Sequence, residues 1–144
     1  MRESKFRGFN RKNGVWLYGF YLQNRGAHFV CPDEFADGKS WDDYEIDPET
    51  RGEYTGQKDK NGQEIYEGDV VRRTEVYNKV WATVAIVCYR QETAQFVLHN
   101  DEEYVEDQPL VSTRNYDDGQ ISCVLEYEYE VIGNIHDNPE LLEQ

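Results

Sequence analysis

The chain has 144 residues, 38% hydrophobic, 31% charged and 14% aromatic, with a formal net charge of −14. That length suits one domain or two very small ones. The rings exclude disorder by composition, and the charge disfavours a nucleic-acid backbone or an anionic membrane surface as partner.

Residues 5–22, KFRGFNRKNGVWLYGFYL, read as a β-hairpin. Lys12-Asn13-Gly14 is a strong reverse-turn signal because Asn and Gly accept positive φ, and its flanks are aromatic and apolar. Residues 24–31 add a short strand. Residues 32–54 form an acidic, loop-rich connector, with one helical turn expected near Asp33-Glu34-Phe35 and with Phe35, Trp41, Tyr44 and Ile46 pinning it to a surface.

YTGQKDKNGQEIYEGDVV, residues 54–71, carries a second hairpin turn at Asp59-Lys60-Asn61-Gly62, a bend at Gly68 and a strand starting at Val70-Val71. KNGVWLY (12–18) and KNGQEIY (60–66) echo each other, which is read as shared turn chemistry. VWATVAIVCY, residues 80–89, is apolar on both faces and rich in β-branched residues, as a central strand is. AQFVLH (94–99) gives another strand, and residues 101–120 are a polar excursion broken by Pro109 and Asp117-Asp118-Gly119.

ISCVLEYEYEVI, residues 121–132, alternates with period two. Ile121, Cys123, Leu125, Tyr127, Tyr129 and Val131 share one face, and Glu126, Glu128 and Glu130 the other. Asn138-Pro139-Glu140-Leu141-Leu142 reads as a terminal helical turn capped by Asn138.

Charge is unevenly placed. Residues 1–30 carry +5 and residues 31–144 carry −19, with no Lys or Arg after Arg114. A basic head and an acidic remainder attract, within one chain or between neighbours. No apolar run approaches the ~20 residues of a membrane span. MRESKFRGF lacks an apolar signal core, and Cys31, Cys88 and Cys123 form no CxxC, so a cytoplasmic protein with reduced thiols is expected.

Catalytic signatures are missing from the sequence. His28, His99 and His136 have no metal-ligand spacing, and neither GxSxG nor a P-loop occurs, so no cofactor, metal or catalytic residue is expected. The acids of HNDEEYVED (99–107) read as a solvated loop in preference to a cation site. Cys88 and Cys123 fall on expected strands as small core residues; a nucleophilic role would require a His base beside them in space. Glu126, Glu128 and Glu130 lie ~7 Å apart along a strand and read as a solvated sheet face, or as a docking face for a basic surface. Tyr54, Tyr66 and Asp69 cluster around the second hairpin as core residues or as a binding shelf.

MRESKFRGFN, YTGQKDKNGQEIYEGDVV and YEVIGNIHDNPELL, in that order, resemble the YopX family of bacteriophage and prophage proteins, framing nearly the whole chain. The resemblance implies a phage or prophage setting and an SH3-type barrel in the C-terminal part; it implies no activity. The expected fold is mainly β: an N-terminal β-hairpin region with its acidic connector (1–50), then an SH3-like barrel with a C-terminal helical turn (51–144). The leading function is a non-enzymatic module that binds another protein or its own copies, with Tyr54, Tyr66, Asp69, Glu126, Glu128, Glu130, Arg7 and Arg11 as weak binding candidates. Three readings compete with it: an acidic nucleic-acid mimic, an enzyme of unrecognised type, and direct nucleic-acid binding by the basic hairpin if Arg2, Lys5, Arg7, Arg11 and Lys12 stay exposed.

Overall fold

The computed structural model of the chain describes residues 4–76, 82–100, 107–117 and 119–142, and the chain divides into two compact units, residues 1–57 and 58–144. The architecture is mainly β, built from two antiparallel sheets. Among the described residues no helix is long and apolar enough to cross a membrane.

The first unit is organised by its hairpin. β1 (Phe6–Asn10) and β2 (Val15–Asn24) pair in a register that sets Arg7 opposite Tyr18 and Phe9 opposite Trp16. The turn between them closes on Asn10: its carbonyl accepts the Gly14 N–H at 2.9 Å and its side-chain oxygen the Asn13 N–H at 2.7 Å. β3 (Ala27–Cys31) pairs with β2, and the start of β4 (Gly52–Lys58) with β1. Gly19 is obligatory in this sheet. A Cβ there would lie 1.9 Å from the Cys31 carbonyl oxygen, so the strands reach this separation only without a side chain.

The connector is tied down along its length. Val30 N–H donates to the Tyr44 carbonyl at 3.0 Å and Ile46 N–H to the His28 carbonyl at 2.8 Å, extending the sheet past β3. Ile46 sits over Gly8. The helical turn expected at 33–35 forms elsewhere, as short 3-10 turns at Trp41–Asp43 and Pro48–Thr50. The reason is capping: the Ser40 N–H donates to the Asp43 carboxylate at 3.0 Å, and the Asp47 carboxylate accepts the Glu49 N–H at 3.2 Å.

The second unit holds β5 (Glu64–Tyr66), β6 (Asp69–Glu75), β7 (Ala82–Arg90), β8 (Gln95–His99), β9 (Gln108–Pro109), β10 (Thr113–Asp117) and β11 (Ser122–Asn134). Its six-stranded sheet has the order β10-β11-β6-β7-β8-β9. Ile65, Val71, Ala85, Val87, Leu98, Leu110, Tyr127 and Tyr129 form the core, each almost wholly buried.

The expected SH3-like barrel is corrected here: among the described residues the sheet stays open, with β10 and β9 as its edges. β9 has two residues, and one is Pro109, which has no N–H to continue a ladder. A register shift between Val131 and Gly133 bends β11 at its far end. The C-terminal turn Pro139–Leu142 then folds over Gly133, whose added Cβ would meet Asn138 and Leu141 at under 3 Å. Asn138 holds this turn through its carbonyl, which accepts the Leu141 N–H at 3.1 Å, while its side-chain oxygen accepts from Asn134 N–H at 3.3 Å.

Candidate functional site

The motif around the second hairpin is structural chemistry. Asp59 is buried, and its carboxylate accepts the Asn61 and Gln63 N–H groups at 2.9 Å each and the Val131 N–H at 3.0 Å. Burial alone would raise the Asp59 pKa; the backbone donors of Val131, Gln63 and Asn61 outweigh it and hold the carboxyl below its ordinary range. Asp69 is buried as well and accepts the Tyr66 N–H at 2.8 Å. Tyr66 is buried and donates its hydroxyl to Glu64 at 3.1 Å; Tyr54, in the other unit, is buried beneath the Lys5 ammonium, 5.7 Å from the ring centroid. Tyr54, Tyr66 and Asp69 therefore form no exposed shelf.

The basic hairpin is engaged by its own unit. The Arg7 guanidinium is buried over the Trp16 ring at 5.0 Å. Arg11 pairs with Asp47 at 2.5 Å, and the Lys12 ammonium meets Asp42 and Asp43 at 3.0 Å each. The Ser40 N–H, the Asn13 side chain and Lys12 together hold the Asp43 carboxyl far below the usual range. The attraction anticipated from the charge asymmetry is thus met, in this unit, by the connector. Arg2 lies outside the described residues.

Glu126, Glu128 and Glu130 do line one face of β11, half-exposed, opposite the buried Tyr127 and Tyr129. Their cross-strand neighbours are Thr113, Thr74 and Arg72. Glu130 also meets Lys60 at 3.0 Å. The face is a single acidic row with cations at one end, and not the two parallel rows a phosphate mimic requires. On the opposite face Ile121 is exposed, and the Cys123 side chain lies outside the described residues.

The four residues expected to pin the connector divide into two kinds. Tyr44 and Ile46 do anchor the connector, at 6% and 4% exposure, whereas Phe35 and Trp41 remain 44% and 53% exposed. They are nonetheless ordered by ring contacts. Trp41 packs edge-on against Phe29 at 5.5 Å and Phe35 at 5.0 Å, and Phe35 lies 4.5 Å from Tyr44. The Tyr44 hydroxyl accepts the Ala36 N–H at 3.2 Å, which fixes the loop that carries Phe35. Exposed Asp33, Glu34, Asp37 and Asp42 flank the pair in the sequence, with Lys39 as the one cation among them. Two ordered rings on an acid-rich loop can take an apolar side chain flanked by Lys or Arg. The available sequence signal was alternation of rings with acids across 33–44, a pattern that an anchoring role alone does not require.

In the second unit, an open pocket of about 380 Å³ is lined by Cys88, Arg90, Glu92, His99 and Asp107, among others. Asp107 accepts from His99 Nδ1 at 2.7 Å and from Arg90 at 2.5 Å. The acids expected to form a solvated loop beside His99, residues 101–106, lie outside the described residues.

Comparison with known proteins agrees with this architecture. The family described as YopX protein matches residues 5–143. The crystal structure of protein EF1440 from Enterococcus faecalis is similar over 99% of both chains, with 26% identity and a TM-score of 0.54. Among curated proteins none matches this chain.

Proposed function

The chain belongs to the YopX family, and on that premise we propose that it is a phage or prophage accessory protein of the host cytoplasm, non-enzymatic, that recognises another protein through its connector. The observation that carries this reading is the exposed, mutually packed Phe35–Trp41 pair on an acid-rich loop. Pre-ordered aromatic side chains lose little entropy on binding, which makes them efficient anchors. The partner surface is basic with an apolar centre. A net charge of −14 steers such a partner and disfavours a second copy of this chain. Mimicry of nucleic acid draws less support, because the β11 carboxylates form one row and Arg72 and Lys60 neutralise its Glu130 end.

Affinity capture from host lysate at two salt concentrations, with wild type beside a Phe35→Ser/Trp41→Ser variant, tests the reading. The wild type retains a basic protein at low salt, retains less of it at high salt, and loses it in the variant. Identical proteins on both baits would refute the assignment to the connector.

A further inference from the structure

We propose that Cys88 is a reactive thiol, with His99 as its base and Asp107 as the group that orients the base, forming a covalent modification site for small soft electrophiles. The sequence placed Cys88 in the core, but the sheet places it elsewhere. The core side of β7 is taken by Ala85 and Val87, and Cys88 alternates to the other face, half-exposed on the wall of the open pocket.

Pairing brings the base to that face. Cys88 is opposite Val97 and Ile86 is opposite His99, so Cys88 and His99 are diagonal neighbours on one face, their Cβ atoms under about 8 Å apart. Both line the same pocket. The bond to Asp107 also fixes the imidazole. A carboxylate only accepts, so Nδ1 carries a proton, and in the neutral ring Nε2 carries the lone pair. Arg90 holds the other Asp107 oxygen and so fixes the carboxylate. Nucleophile, base and orienting acid are thereby supplied by β7, β8 and the residue before β9. Among the described residues the pocket's charged groups are Arg90, Glu92 and Asp107, together with His99 when it is protonated.

The chemistry is a simple displacement. The thiol proton passes to His99 Nε2, the sulfur attacks the electrophilic carbon, an S–C bond forms, and the bond to the leaving group breaks. No oxidant takes part. His99 then returns its proton to water, and the protonated ring is stabilised by the Asp107 carboxylate meanwhile. The inference is independent of the connector reading, since modification of a side chain requires no turnover.

Iodoacetamide is the probe, with the alkylation rate of Cys88 followed by peptide mass spectrometry on the intact chain from about pH 5.5 to 9. The proposal predicts an inflection at least about one unit below the ordinary thiol value of ~8.5. It predicts that His99→Gln lowers the rate near pH 6.5 at least about threefold and returns the inflection to the ordinary value, with Asp107→Asn moving the same way. An ordinary or higher inflection in the wild type, or a His99→Gln profile superimposed on it, overturns the proposal. Should His99→Gln fail to fold, the wild-type profile decides alone.

Discussion

Asp59 and Val131, 72 residues apart in sequence, are joined by a hydrogen bond of 3.0 Å from the Val131 N–H to the Asp59 carboxylate. The same carboxylate closes its own turn through Asn61 and Gln63. A bond of 2.9 Å from the Lys60 N–H to the Tyr129 carbonyl reinforces the junction. One side chain therefore fixes both a local turn and its seat on β11. Asp59→Ala leaves three backbone donors to find new partners, and unfolding in urea should show a loss of about 2–4 kcal/mol. A loss under about 0.5 kcal/mol would place the junction's strength elsewhere.

The pH dependence follows from the same residue. Its folded pKa is lowered, so the unfolded chain binds more protons in the interval between the folded value and the unfolded value of about 3.9. The stabilisation is complete above that unfolded value and is lost as pH falls through the folded one. Wild type and Asp59→Ala should differ most near neutral pH, the gap narrowing as pH falls below the unfolded value of about 3.9. A constant gap between the two urea midpoints across that range contradicts the assignment.

Glycines separate into two kinds. At Gly14, φ is +67° and no heavy atom lies within 4 Å of an added Cβ, so Gly14→Ala should cost about 1 kcal/mol through backbone strain. At Gly19 the added Cβ would lie 1.9 Å from the Cys31 carbonyl oxygen, and Gly19→Ala should prevent the first unit from reaching its native fold. Far-UV circular dichroism with thermal unfolding distinguishes the two. Equal melting temperatures would show that β2 and β3 can separate without loss.

Local chemistry made the hairpins readable, and distant pairing did not. Lys12-Asn13-Gly14 and Asp59-Lys60-Asn61-Gly62 announce turns because their residues tolerate or stabilise the bend, and in both an Asx side chain, Asn10 or Asp59, completes it. β10 lay hidden in residues 101–120, where Asp117-Asp118-Gly119 reads as a breaker and the strand is defined by its pairing with β11. Openness of the sheet rests on which strands meet at its edges, and no local pattern states that. Cys88 was misplaced because β7 is apolar on both faces, so periodicity could not say which face meets the core. The connector's aromatic content was legible; the division of Tyr44 and Ile46 inward from Phe35 and Trp41 outward was not.

The basic turn should not bind nucleic acid. Arg7, Arg11 and Lys12 are engaged by Trp16, Asp47, Asp42 and Asp43, and a phosphate backbone would have to displace those partners against the chain's net charge. Filter binding with duplex DNA at about 50 mM salt should retain none. Retention that falls with added salt and disappears in Arg11→Ala/Lys12→Ala would reverse this conclusion.

The most direct measurement is site-specific photo-cross-linking in host cells, with a benzophenone amino acid placed at position 41 in one variant and at position 126 in another. Recognition through the connector predicts a discrete protein adduct from position 41 and none from position 126. An adduct from position 126 with none from position 41 would move the recognition surface to the acidic row of β11 and contradict the account.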